Sequence, residues 1–478
     1  MLGNWPRILL VDVQGIPGRG LCLGEIYRWV VVTGLFPKTM GIPPSWLHWV
    51  FAMSHLKTDR RQFGRAVLAG SVLPLGLSQS LASARTAAEQ PPLRLGFIGL
   101  GMMGRGHLGS FLGMNDIQVV GISEVVKERL DSAMEMVAGR NKDRKDAPAC
   151  KAHVDFRELL DRKDIDAVVI ATPDHWHALN AIHAARAGKH IYCEKPLTRT
   201  VAEGRRLVTE VAKAKVTFQT GSQQRSEFDG RFRLAAEVVR NGRLGKIHTV
   251  RIGVGVPAIA CTLPEEAIPA GTDWDKWMGP SPRRAFNHEL CPLGIHRHFP
   301  AWRSYREYAG GGLADMGAHH FDIAQWALEM DATGPVKIEP PAKENMGLKY
   351  TYANGVVMFH GGPSGCTFEG SEGTLYVDRG VIKASREEVL KEPFTDKDKR
   401  VYFATNHRRN WIECIRNQKP TICPAEVGHR SATICHLGNI GYWTRRNLTW
   451  DPVKERFAND DEANGWLDHE DREPYRLG

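Results

Sequence analysis

The chain has 478 residues, 42% of them hydrophobic and 24% charged, with a formal net charge of +9. These fractions are those of an ordinary globular protein of two or three domains, long enough to bury a full core. Residues 1–84 hold eight Lys/Arg and three Asp/Glu and so supply +5 of the charge; the +4 left on the remainder is too diffuse to argue for a nucleic-acid partner.

The first 84 residues read as an address. Arg60 and Arg61 precede a stretch without charge from Ala66 to Ala84, which ends in the small-x-small pattern Ala82-Ser83-Ala84. Gly70, Pro74, Gly76 and several serines make it a poor membrane-spanning helix. A twin-arginine export signal is expected, with the alternative of a basic tail, and the protein is expected in the periplasm or secreted. Met53 opens a signal of normal length, so residues 1–52 are expected to come from an upstream start codon. Nothing later in the sequence could span a bilayer, and no membrane partner is expected for the mature form. The nine cysteines are scattered with no C-x-x-C pair, which predicts free thiols and no disulfide framework.

From Leu93 the pattern alternates strands and helices. LRLGFIG runs into Gly99-Leu100-Gly101-Met102-Met103-Gly104 and a helix-compatible stretch. A second strand, IQVVGIS, ends at Glu124, twenty residues past the third glycine. G-x-G-x-x-G alone is weak, but between a strand and a helix, with an acid at this spacing, it predicts a dinucleotide site. Gly99 allows the tight turn, Gly101 admits the pyrophosphate, and Gly104 lets helix and strand pack closely. Met102 and Met103 belong to the same turn. Glu124 can accept hydrogen bonds from ribose hydroxyls and would repel a 2′-phosphate, so NAD is preferred over NADP.

The alternation continues through DAVVIAT, HIYCEKP and VTFQTGS, which predicts a parallel, doubly wound Rossmann sheet over residues 92–222. Thr172, Pro173, His177, Glu194 and Lys195 follow strand ends, the side on which such sheets bind ligands, and all are expected near the cofactor. After about Gly242 the segments GKIHTVRIGVGV, VKIEPP, LKYTYANGVVMFHGG and GCTFEGSEGTLYVD alternate apolar and polar residues around glycine-rich turns. They predict an α+β substrate and oligomerisation domain over 223–400 with a large, mostly antiparallel, open-faced sheet. Residues 401–478 are expected to be helices and a tail that return to the Rossmann domain.

The stretch ADMGAHHFD, residues 314–322, sets two histidines between two aspartates. On one helix, Asp315, His319 and Asp322 would share a face, with His320 turned about 140° away. Such a pattern suits a carboxylate-tuned acid/base, a metal half-site completed by His296 or His298, or a solvated polar stripe.

Taken together, GLGMMG, ATPDHWH, Glu194-Lys195-Pro196 and GGGLADMGAHHFD, in this order, resemble the Gfo/Idh/MocA oxidoreductases, the family of glucose-fructose oxidoreductase and inositol dehydrogenase. The resemblance runs from about Leu93 to the C-terminus. It implies an NAD-dependent enzyme acting on a secondary hydroxyl or ketone of a sugar, cyclitol or glycoside. Lys195 would stabilise charge on the reacting oxygen, His319 would exchange the proton, and Asp315 would orient it or hold a neighbouring hydroxyl. Arg225 stands where the family often places an arginine near substrate, and Trp274 and Trp302 could stack on a sugar ring. No metal is expected, and a homo-oligomer is implied by the open sheet face. A glycoside-cleaving enzyme using transient oxidation by bound NAD, and a non-catalytic sugar-responsive NAD-binding protein, are the alternatives.

Overall fold

The computed structural model describes residues 91–142 and 147–477. The export signal expected in residues 1–84 lies outside the described residues. Six short strands build the first sheet: β1 (Leu93–Ile98), β2 (Ile117–Ser123), β3 (Lys151–His153), β4 (Ala167–Ile170), β5 (His190–Cys193) and β6 (Phe218–Thr220). Their order is β3-β2-β1-β4-β5-β6, and every pairing is parallel. The central strands β1, β2, β4 and β5 are mostly apolar and mostly buried because helices cover both faces. One covering layer uses Leu159, Ile182 and Leu207, the other Leu108, Phe111 and Trp411, all buried. The order reverses beside β1 and β4, which opens a crevice at the strands' carboxyl ends.

The second sheet contains β7 (Ile247–Gly253), β8 (Lys337–Glu339), β9 (Lys349–Thr351), β10 (Val357–Gly370), β11 (Gly373–Asp378), β12 (Val381–Ala384), β13 (Leu448–Asp451) and β14 (Arg456–Phe457). It runs β12-β11-β10-β9-β8-β13-β14, and β7 pairs with β10. β10 bends where Gly361, Gly362 and Gly365 have φ of 141°, 104° and 104°, a region that favours glycine. The bend lets both arms of β10 pair with β7. One sheet face packs on helices Arg231–Arg240, Gly317–Ala327 and Ala425–Thr444 through Phe232, Phe321, Tyr350, Phe368 and Leu437. The other carries part-exposed Phe359, Thr367 and Tyr376 with the ion pairs Arg251–Glu369 and Lys349–Glu339.

The C-terminal segment returns to the first sheet, where Trp411 of helix His407–Asn417 is fully buried against Phe111 and Tyr192. Between the sheets, residues 257–312 form a long ordered loop with a small core of its own, in which Trp274 and Trp277 stack at 4.7 Å. Two clamps hold the loop on the Rossmann domain. Trp176 donates its indole N–H to the Trp277 carbonyl at 2.9 Å, and Arg129 donates to the Gly294 carbonyl at 3.1 Å. All eight described cysteines are free, seven of them buried. Among the described residues no helix is long and apolar enough to cross a membrane.

Candidate active site

A cleft of about 580 Å³ runs from the carboxyl ends of β1, β2 and β4 to the helices of the second domain. The glycine turn forms one end. Gly99 has φ 85°, and an added Cβ would lie 2.8 Å from the Thr172 backbone nitrogen. At Gly104 a Cβ would fall 2.0 Å from the Gly99 carbonyl oxygen, so only glycine lets helix Met102–Leu112 start this close to β1. Above Gly101, the helix N-cap, an added Cβ would meet nothing within 4 Å. This open cradle of backbone N–H groups at a helix N-terminus fits a dinucleotide pyrophosphate. Met102, Met103, Thr172 and Pro173 line it.

Glu124 ends β2 and is held at the rim. One oxygen accepts from the Leu100 N–H at 2.7 Å, and the other from Val125 and Val126 at 2.9 and 3.0 Å. The carboxylate is thereby tied to the glycine turn, where ribose hydroxyls would lie.

Glu194 and Lys195, at the end of β5, face different partners. Glu194 accepts from His107 and from Gln223, each at 2.7 Å. Burial would raise its pKa, but these hydrogen bonds and the nearby charges outweigh it and hold the carboxyl near about 2. His107 accepts in turn from Arg408 Nε at 2.9 Å, which leaves Nε2 of the imidazole to carry the proton toward Glu194. Lys195, followed by a cis bond to Pro196, donates to the Asp315 carboxylate at 2.6 Å and to its carbonyl at 2.8 Å. Burial pushes the Asp315 pKa up, yet Lys195 and Arg303 together bring it below the ordinary value.

The histidine-rich segment differs from one continuous helix. Helix Gly311–Asp315 ends and helix Gly317–Ala327 begins around Met316. Asp315 therefore turns to Lys195 and makes no hydrogen bond to His319. His319 lines the cleft, 4% exposed, with no partner on Nδ1. Burial first, then Lys195 and Arg379, hold its pKa well below 6.5, so the imidazole is neutral. His320 is fully buried beside Gln224 and Cys366.

Three expected ligand contacts are placed elsewhere. His177 does not line the cleft; its nitrogens lie 2.9 and 3.0 Å from the Pro196 and Thr172 carbonyls, where it braces the two loops that do. Arg225 is 2% exposed and pairs with the carboxylates of Asp322 and Asp331, so it joins helices instead of meeting substrate. Trp274 is buried, donates to the Arg284 carbonyl at 2.8 Å and pins the long loop. Trp302 does line the cleft, together with Trp277, another aromatic of the same tryptophan-rich loop, and with Arg303, Arg379 and Arg408, to which no sequence motif pointed. These residues come from loops with no local pattern. The tryptophan-rich loop composition was the only signal for any of them.

The fold and cleft define a two-domain dinucleotide-binding protein. Residues 93–222 match the model of the oxidoreductase family's NAD-binding Rossmann fold, and residues 258–477 match that of its C-terminal alpha/beta domain. Among curated relatives, myo-inositol 2-dehydrogenase of Thermotoga maritima is 34% identical over 252 residues, 52% of this chain and 60% of that protein. An alpha-N-acetylgalactosaminidase of Shewanella oneidensis is 36% identical over 135 residues, 28% of this chain and 29% of that one. The chain thus spans less than two thirds of the length of these relatives. A solved levoglucosan dehydrogenase in complex with NADH and levoglucosan shares the fold, with a TM-score of 0.52, 19% identity and coverage of 75% of this chain and 99% of that one. An aldose-aldose oxidoreductase from Caulobacter crescentus does so equally, at 0.52 and 18%, covering 75% and 99%. With both domain models matched in order, the chain belongs to the Gfo/Idh/MocA oxidoreductase family, and its first domain is that family's NAD-binding domain.

Proposed function

We propose that the protein is an NAD-dependent oxidoreductase acting on a secondary hydroxyl or ketone of a sugar, cyclitol or glycoside. The observation that carries this reading is the grouping of Lys195, Asp315 and a neutral, part-unpartnered His319 in the cleft that the glycine turn opens. When bound, NAD would supply a hydride acceptor at the Lys195 end. In the oxidative direction His319 takes the hydroxyl proton, which its depressed pKa leaves it free to do across neutral pH. The Lys195 ammonium stabilises negative charge as it develops on the oxygen, and Asp315 holds that ammonium in place. Trp277 and Trp302 line the space left for a sugar ring. The relatives named for inositol and levoglucosan oxidation support a polyhydroxylated substrate.

A second reading, cleavage of a glycoside through transient oxidation with NAD retained, is favoured by the relatives named glycosyl hydrolase family 109 protein, 37% identical over 122 residues in one Shewanella species. A panel of free sugars, cyclitols and glycosides, followed by nicotinamide absorbance and by release of aglycone, tests both. Net NADH formation supports the first reading and aglycone release without net NADH the second. Ligand binding with neither, across the whole panel, leaves only a sugar-responsive binding protein.

A further inference from the structure

Asp174 opens the short turn Asp174–Trp176 after β4, and its carbonyl accepts from the His177 N–H at the start of helix His177–Arg186. The residue is 4% exposed and lines the cleft. Among the described residues its carboxyl has neither a hydrogen-bond partner nor an ion pair, yet its oxygens are not among the polar atoms sealed from solvent. They open on the cleft. The charges that act on them are those of Lys195, Asp315, Arg303 and Glu194, which place the carboxyl at the Lys195 end.

The other acids of the cleft are engaged. Glu194 is held by His107 and Gln223, Asp315 by Lys195, Asp155 by Arg157, and Glu124 and Glu227 by backbone N–H groups. Asp174 stands apart from them in charge as well. Burial pushes its pKa up to about 8 although Lys195 and Arg303 pull it down, so the carboxyl carries a proton at neutral pH. A buried polar group without a partner destabilises a fold, and such groups persist where a ligand completes them. An undissociated carboxyl offers one O–H donor and one acceptor oxygen side by side. A sugar hydroxyl, itself both donor and acceptor, satisfies the two together. The cofactor's pyrophosphate and adenosine ribose have their own seats at the glycine turn and Glu124, away from this end.

We infer that Asp174 is a specificity-determining residue whose carboxyl binds a substrate hydroxyl other than the one that reacts. The inference rests on the sugar-oxidoreductase reading and deepens it, since a cleft built to hydrogen-bond a hydroxyl rejects the analogue that lacks it.

Two variants of the full chain test it: Asp174→Asn, which keeps a donor and an acceptor, and Asp174→Leu, which removes both. Without ligand, Asp174→Leu is expected to melt about 2 °C or more above the parent, because an unpartnered buried acid is gone. A fall of several degrees in both variants would show that the carboxyl serves the fold. Calorimetry on NADH-saturated protein then compares D-glucose, D-galactose, D-mannose, their methyl glycosides, myo-inositol and levoglucosan, followed by the monodeoxy analogues of the tightest binder. One deoxy analogue is expected to bind the parent about tenfold or more weakly, and that loss is expected to vanish in Asp174→Leu while Asp174→Asn keeps most of it. NADH affinity is expected to be the same in all three proteins. Deoxy losses equal in the parent and Asp174→Leu, or failure of every sugar and cyclitol to bind the parent at millimolar concentration, would overturn the inference. So would a tenfold loss of NADH affinity in Asp174→Leu, which would give the carboxyl to the cofactor. Turnover in the same samples reports separately on the chemistry. A hydroxyl recognised through Asp174 without redox conversion of any ligand would keep this subsite and sink the oxidoreductase reading.

Discussion

Lys195→Met removes the ammonium while keeping most of the side-chain volume. Two hydrogen bonds are lost, at 2.6 and 2.8 Å, both to Asp315, whose side chain is 25% exposed. Stripping one partner from a buried ion pair costs about 3–5 kcal/mol in the worst case. Here Arg303 stays 3.6 Å from the same carboxylate oxygen, so the loss of stability should sit nearer the ~1.5–3 kcal/mol of a charge-assisted hydrogen bond. The kinetic loss is a separate quantity. A preorganised donor aimed at a developing oxyanion contributes about 2.7–4 kcal/mol, which predicts a fall of about 10²–10³ in kcat. NAD affinity should barely change, because the glycine turn and Glu124 hold the other end of the cleft. The assay is steady-state oxidation of any accepted substrate, with NAD binding followed by fluorescence and stability by thermal melting. A variant that melts lower but turns over within about threefold of the parent would show that Lys195 serves the fold and not the reaction.

Other outcomes follow from the same geometry. If Glu124 excludes a 2′-phosphate, NAD should bind more tightly than NADP, and Glu124→Ala should narrow the gap; equal affinities in the unmodified protein would refute that role. Burial holds the pKa of His407 and of His436 at about 4, down from 6.5, and that of His175 at about 3, so each is neutral in both states above 6.5 and costs stability as pH falls below it. Asp174, raised to about 8, opposes them by one proton. Near pH 5 these four groups alone take up a net of about two protons on unfolding, which predicts from them a loss of roughly 3 kcal/mol per pH unit, and a melting temperature flat from about pH 7 to about pH 5 would contradict it. If the twin-arginine segment exports the folded protein, NAD should travel with it. Denaturing protein isolated from the cell envelope should then release near-stoichiometric nucleotide, and an empty protein with weak NAD affinity would count against both export and retention.

The parts of this site that the sequence made legible are those in which one short segment contains its own physical reason. The glycine turn is such a segment: Gly104 is demanded by the carbonyl of Gly99 five residues before it, Gly99 by its own positive φ, and Glu124 returns to the same turn one strand later. Alternating periods announced the parallel sheet and the antiparallel one for the same reason. Arg225 shows the limit. An arginine behind a strand end looks like a ligand contact, and only packing shows that Asp322, 97 residues on, and Asp331, 106 on, claim it. Asp315 and His319 share a spacing that suits a catalytic pair, yet a break at Met316 gives the aspartate to Lys195, 120 residues earlier.

The same distinction separates reaction from specificity in this fold. The groups proposed to move the proton and hold the oxygen, Lys195 and His319, stand at a strand end and on a helix of the packed core, positions with little freedom to drift. Arg303 lies on the 257–312 loop and Arg379 just after β11, where the chain turns toward β12. Changes there are expected to leave both sheets undisturbed, because loop residues can vary while the scaffold keeps its packing. A family built on one pair of domains can therefore hold relatives named as a myo-inositol dehydrogenase and as an alpha-N-acetylgalactosaminidase, and a substrate cannot be carried over from either to this chain on likeness of fold. Trp277, Trp302, Arg303 and Arg379 line this chain's own cleft, and they are the ground on which its substrate has to be sought.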